Sequence, residues 1–337
     1  MTYAIMNPVR TLALIAGLGA AVFSLPAFAQ KKSLIVAEPV HGIGYLPLYV
    51  AMRNGYFAEE NLDVKKTTTE GGAAHINAVL TGQAFAFIGG PEHNARAKIQ
   101  GANLRAVVNI VDRGNVYLVA KKGVAMKPGQ SVADFVKGKT IATGFFGGTP
   151  NSITRYLLGQ WKLDARRDVV LQEMTNGAVL AAVRAGKAQI GVTSDPILVR
   201  GVIQNIWDEP FYNVPKELGP YAYSTLNITL ESIKQDPKTV AAFVRGVMRG
   251  LRFTHEEPEK AAAIAKLEFP TMEQSDLKAT LDRAFADNQW SRDGLISEAA
   301  WVTARSVVMG AGSLREAVPY DDVIDMQFVR AVLASTK

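Results

Sequence analysis

From residue 33 onward, short apolar runs alternate with stretches in which apolar residues recur at helical spacing. Short runs fit buried strands and the longer period fits one-sided helices, so the pattern predicts an α/β chain. Strands are expected at 34–38, 62–67, 85–89, 104–111 and 116–121, with helices at 46–54, 73–80 and 92–100 between them. Glycines 55, 82 and 101 stand where these helices should end in a left-handed residue. The series then restarts, with helices at 132–136, 149–161 and 178–185, and strands at 140–143, 168–172 and 189–192. A run at 223–230 precedes a change of character. From Pro237 to Lys337 the periodicity is helical, with breaks near Pro258, Pro270, Gly294 and Gly312.

The two series resemble each other. AVLTGQAFAFIGGPE (78–92) and AVRAGKAQIGVTSDP (182–196) each read as a helix, a glycine, a short strand and a turn of small residues. Several strand-to-helix turns are glycine-rich: Gly71-Gly72-Ala73, Gly89-Gly90-Pro91-Glu92, and GFFGGTP over 144–150; Thr175-Asn176-Gly177 is a sparser version. Glycine lets a ligand approach the backbone, and free N–H groups at a helix start attract anions. In α/β sheets such turns sit outside the carboxyl ends of the strands, where ligands gather. None of them reads G-x-G-x-x-G or G-x-x-x-x-G-K-[ST], so the markers of dinucleotide and nucleoside triphosphate sites are missing. The same turns also serve as plain connections.

Residues 1–29 read as a cleavable export signal. Arg10 closes the n-region, LALIAGLGAAVF (12–23) is the apolar segment, and Ala27-Phe28-Ala29 precedes Gln30. The apolar segment is shorter than the roughly 20 residues of a comfortable membrane span. The chain has 337 residues, 48% hydrophobic and 20% charged, which fits a folded protein of two domains. Its net charge of +6 is spread over short Lys and Arg pairs, not a patch suited to nucleic acid. With no cysteine there is no disulfide and no thiol chemistry. Four histidines occur, none in H-E-x-x-H. His41, His75 and His93 each follow a first-series strand, but acidic neighbours at ligand spacing are lacking, so no metal and no cofactor is expected. A nucleophile elbow G-x-S-x-G is absent as well. Tyr45, Phe145 and Phe146 could stack on a flat ligand or fill a core. Glu92 and Asp195 stand at equivalent turns, as helix caps or as acceptors for ligand donors.

Taken together, GYLPLYVAMRNGYFAEENLDV (44–64), EGGAAHINAVLTGQAFAFIGGPE (70–92), SVADFVKGKTIAT (131–143), GGTPNSITRYLL (147–158) and AVRAGKAQIGVTSDP (182–196) resemble the nitrate/sulfonate/taurine-type substrate-binding proteins of ABC importers, which share the thiamine-pyrimidine-synthase-like fold. Asn61 departs from the glycine usual there, and asparagine tolerates the same left-handed turn. The resemblance implies a type II periplasmic binding protein: two α/β lobes, each a mixed sheet flanked by helices, with a helical C-terminal third. One lobe is expected at 33–115 plus 230–337 and the other at 116–229, hinged near 115–121 and 221–230. It implies ligand contacts at His41, Gly42, Tyr45, Gly71, Gly72, Ala73, Gly90, Pro91, Glu92, Gly148, Thr149, Asn151, Ser152, Asn176, Gly177 and Asp195, to which the aromatic Phe146 beside the expected cleft is added. It also implies a periplasmic monomer that is not an enzyme and serves a membrane permease with its ATPase. The helix starts expected at one cleft of a net basic protein, with Tyr45 and Phe146 nearby, point to a small organic anion, a sulfonate or carboxylate, as the ligand. A pyrimidine-like ligand is the alternative. A pyrimidine-synthase-like enzyme on the same fold lacks its cysteine-rich stretch here.

Overall fold

The computed structural model describes residue 1 and residues 30–69 and 73–335; the export signal expected at 1–29 lies almost wholly outside them, as do Gly71 and Gly72. The chain runs β1 (Lys32–Glu38), α1 (Leu46–Arg53), α2 (Tyr56–Glu59), β2 (Leu62–Thr68), α3 (Ala74–Leu80), β3 (Ala86–Gly89), α4 (Glu92–Ile99), β4 (Leu104–Arg113) and β5 (Tyr117–Ala120). It continues through α5 (Val132–Val136), β6 (Thr140–Thr143), α6 (Thr149–Gln160), β7 (Val170–Glu173), α7 (Asn176–Arg184), β8 (Ile190–Thr193), α8 (Ile197–Ile203), β9 (Tyr212–Asn213), α9 (Val214–Leu218) and β10 (Pro220–Thr229). The rest is helical: α10 (Leu230–Gln235), α11 (Pro237–Glu256), α12 (Pro258–Glu268), α13 (Gln274–Ala286), α14 (Glu298–Gly310) and α15 (Gln327–Ser335).

Two five-stranded mixed sheets result, in the orders β2-β1-β3-β10-β4 and β7-β6-β8-β5-β9. Each has three parallel strands followed by an antiparallel crossing strand that comes from the other half of the chain: β10 pairs antiparallel with β3 and β4, and β5 with β8 and β9. The sequence correspondence between 78–92 and 182–196 lands on α3-β3 and α7-β8, and both strands hold the third place in their sheets. The chain enters the first sheet at Pro220, because the backbone of 220–229 finds its partners on β3 and β4.

The inner strands of both sheets are buried on both faces, so alternate residues of one strand enter different cores. Val36 and Ile88 face a core completed by α1, α11 and α12, whereas Ala37 and Phe87 pack with Ile76 and Val79 of α3. In the second sheet Leu118 and Ile141 join Leu157 of α6 and Trp301 of α14, while Val119 and Ala142 meet Val179 and Val183 of α7. Helix starts carry the expected chemistry: Asp236 caps α11 through the Thr239 N–H at 3.0 Å, Ser297 caps α14 through Ala300, and Pro237 and Pro258 open their helices. Gly312, with φ of 74°, follows the end of α14, and Gly294, with φ of 71°, turns the connection between α13 and α14, so both stand where the sequence predicts a break. No helix among the described residues is long and apolar enough to cross a membrane.

Candidate functional site

A cavity of about 310 Å³ opens where the carboxyl ends of the parallel strands of the two sheets face each other. From the first sheet it receives Pro39 and Val40 after β1, Tyr45, His75 of α3, Gly89 at the end of β3, His93 of α4, and Tyr223 and Ser224 of β10. From the second come Gly144, Phe145 and Gly148–Pro150 after β6, Met174–Gly177 after β7, and Ser194 after β8. Two other hollows, of about 460 and 550 Å³, lie by Leu80 and Gln235 and by Arg166 and Val170.

Two features fix what the cavity can do. First, α6 and α7 both begin at its wall, at Gly148 and Thr175, and neither has a side-chain cap. Their first N–H groups have no helical carbonyl to meet, and both helix dipoles bring partial positive charge to the same space. Second, among the described lining residues none is Asp, Glu, Lys or Arg, and most of the wall is apolar or aromatic. Backbone dipoles in a dry, apolar setting hold an anion without a counter-ion side chain.

The imidazoles of His75 and His93 meet edge to face at 5.4 Å, and His75 meets Phe87 in the same manner at 5.4 Å. Burial, then the nearby Arg96 charge, lowers the His75 pKa to about 4. The same causes hold His93 well below its ordinary value, so both rings are neutral at pH 7. The Arg96 guanidinium donates to Nδ1 of His93, which leaves the His93 proton on Nε2. His75 is 3% exposed, and neither of its ring nitrogens has a hydrogen-bond partner among the described residues. Gly89 makes this pair possible: a Cβ there would lie 3.1 Å from the His93 ring and 3.4 Å from that of His75. Behind it, Thr225 Oγ1 and Asn227 Nδ2 both donate to the Gly89 carbonyl, at 2.9 and 2.8 Å.

Of the residues the sequence proposes for ligand contact, Tyr45, Gly148, Thr149, Asn176 and Gly177 line the cavity. Others lie behind the wall. Glu92 is fully buried, and its Oε1 accepts from Thr149 Oγ1 at 2.8 Å, a hydrogen bond that joins the two halves. Burial raises its pKa to about 7 against the opposing pull of Arg96. Gly90 is there for Glu92: a Cβ would fall 1.9 Å from Glu92 Oε2. Pro91 is the N-cap of α4. Asn151 donates to the Gly144 carbonyl and to Glu173, shaping the 144–148 loop, and Ser152 is buried with its N–H on the Gly148 carbonyl. Asp195 forms an ion pair with Arg283 of α13 at 3.2 Å and accepts from the Val199 N–H, although its neighbour Ser194 reaches the wall. Ala73 is exposed at the start of α3, and Gly42 lies beside, not among, the lining residues.

His41 is drawn away by Glu38, which is fully buried at the end of β1: His41 Nδ1 lies 3.2 Å from Glu38 Oε1 and the ring stacks on Phe269 at 4.6 Å. That bond to Glu38 is the main reason its pKa is raised. The two phenylalanines exchange roles. Phe145 is on the wall, while the adjacent Phe146 lies against the Arg155 guanidinium, 5.2 Å from its ring centre. The sequence gives no sign of which of two adjacent phenylalanines turns inward. Tyr223, Ser224, Ser194 and Met174 escape sequence reasoning for a related reason, since they reach the cavity from strand or turn positions with no glycine marker.

A family model described as NMT1/THI5 like matches residues 43–261. YtlA of Bacillus subtilis (strain 168), named for a binding role, is 25% identical over 322 residues, covering 92% of this chain and 94% of its own. The riboflavin-binding protein RibY of Chloroflexus aurantiacus is 25% identical over 307 residues, covering 86% and 84%. The alkanesulfonate-binding protein SsuA of Xanthomonas axonopodis pv. citri, solved bound to MOPS, superposes with a TM-score of 0.71 at 13% identity, over 88% of this chain and 99% of its own.

Proposed function

Because the chain belongs to the NMT1/THI5-like family, we propose that it is an exported solute receptor that captures a small organic anion between its two sheets and delivers it to an ABC permease and its ATPase. The observation that carries the ligand class is the pair of uncapped helix starts, α6 and α7, facing one apolar cavity that has no charged side chain among its described lining residues. The helix starts hold the acid group, and Phe145, Tyr45 and Tyr223 hold the rest by contact. The binding roles in the names of YtlA, RibY and SsuA support a receptor over an enzyme, and the sulfonate ligand of SsuA supports the anion. At about 310 Å³ the cavity is at the lower end of small-molecule sites, roughly 300–1,000 Å³, which suits one ring with an acid group better than a fused tricyclic ring system.

The two sheets are the cores of two lobes in this reading. The hinge lies where the chain passes between them, at residues 114–116 and at Gly219, whose φ of 64° only glycine adopts readily. Cleavage after Ala29 releases the mature protein into the periplasm. A thermal-shift screen over alkyl and aryl sulfonates, aromatic carboxylates, nitrate, pyrimidines and riboflavin tests the ligand class. An anion at about 100 times its Kd should stabilise by roughly 2.7 kcal/mol, a plainly raised Tm. Stabilisation by uncharged or cationic heterocycles alone refutes the anion reading and leaves the receptor reading in place.

A further inference from the structure

We propose that His75 is the specificity-determining residue of this cavity, reading a hydrogen-bonding atom on the ring of an aromatic anion whose acid group rests on the helix starts of α6 and α7. This deepens the receptor reading above and depends on it.

His75 lines the cavity from the first sheet's side, opposite the helix starts of the second. It is almost wholly removed from solvent, yet both ring nitrogens lack a partner among the described residues, while the Gly89 carbonyl beside it is satisfied twice over. An unpaired buried polar group is costly, and native proteins keep one where something else completes it. The ring is also held in place. Phe87 and His93 pack on it edge to face, and a Cβ at Gly89 would touch its Nε2 at 3.4 Å. A fixed, dry, neutral imidazole offers one donor and one acceptor and no charge, so it favours a ring atom such as a pyridine nitrogen and gives no reward to a plain phenyl edge. His93, whose Nδ1 is already occupied by Arg96, adds a donor at Nε2 on the same wall. The ligand class that satisfies both ends is a heteroaromatic carboxylate or sulfonate with a single ring.

Calorimetric titration of the protein and of His75→Phe with nicotinate and with benzoate tests this, because the two acids differ in one ring nitrogen. The wild type should bind nicotinate about tenfold more tightly than benzoate, the value of one well-made hydrogen bond. His75→Phe should bring the two within about twofold of each other. Equal binding of both acids by the wild type, or an unchanged ratio in the variant, overturns the proposal. In case the variant does not fold, 15N-histidine NMR of the wild type decides the same question: a His75 ring nitrogen should shift with nicotinate and stay with benzoate, and no shift with nicotinate refutes it. A protein that binds neither acid but is stabilised by other anions overturns the role of His75 and keeps the anion reading. One stabilised only by uncharged or cationic compounds overturns both.

Discussion

At the scale of single residues, the cavity depends on groups that stand behind its wall. Glu92 is the clearest, buried with Oε2 unpartnered among the described residues and a pKa raised to about 7. In the unfolded chain the same carboxyl titrates near 4.5. Between these two pH values the native state holds a proton that the unfolded chain has released, so the contribution of Glu92 to stability is complete below pH 4.5 and is lost as pH rises to 7. His75 and His93, with lowered pKa, act in the opposite sense over an overlapping range, and Asp195, also raised to about 7, acts in the same sense as Glu92. The difference between wild type and Glu92→Gln is therefore the quantity to read. Urea unfolding should find the variant about equal to wild type at about pH 4.5 and more stable by up to about 3 kcal/mol at about pH 8. A difference that does not change with pH shows that Glu92 is ionised throughout.

At the scale of elements, the start of α7 sets stability against binding. Asn176 opens this helix on the cavity wall, and its Nδ2 donates to Ser194 Oγ at 3.3 Å. Asn176→Asp places a carboxylate on the positive end of the helix, which should stabilise the fold by about 0.3–1 kcal/mol. The same carboxylate fills the place of the ligand's acid group and repels it, and affinity for an anion identified in the screen should fall by at least about tenfold. Melting curves and titrations on the one variant should thus move in opposite directions; unchanged affinity refutes the role of α7. Elsewhere the elements meet closely through glycine. Gly250 of α11 lies so near α1 that a Cβ would come 2.2 Å from the Pro47 carbonyl, and this lets the longest helix lie flat on the first sheet's core.

At the scale of the whole molecule, the C-terminal third ties the two halves together. Helix α14 packs on α6 of the second half through Trp301 and Val307, and α13 brings Arg283 to Asp195, with Asp287 just beyond it accepting from the Tyr117 hydroxyl at 2.8 Å. Asp195 is 6% exposed, so Arg283→Met leaves a buried carboxyl without its partner. The cost should be about 3–5 kcal/mol at about pH 8 and smaller at about pH 5, where the proton relieves it. Denaturant midpoints at the two pH values measure this, and equal costs at both show that the ion pair is not what Arg283 contributes. Hinge closure on a ligand should reduce the radius of gyration in small-angle scattering, and an unchanged radius at saturation argues against it.

The sequence alone determined most of the order of strands and helices through β8, since apolar periodicity and glycine punctuation are local properties of the chain, but it missed α2, α8, β9 and α9. The likeness of 78–92 to 182–196 carries the doubled plan, because each segment must bury the same pattern of side chains. The turns that approach the cavity were legible for the same reason. What only the tertiary structure decided was the direction of side chains within those turns. His41 turns to a buried glutamate, Asp195 to an arginine far along the chain, and Phe145 replaces Phe146 at the wall. The two imidazoles come together from α3 and α4, which flank β3 in the chain, and β3 is paired between β1 and β10. The Asp195–Arg283 and His41–Phe269 contacts join residues distant in the chain, and periodicity within a segment carries no information about them.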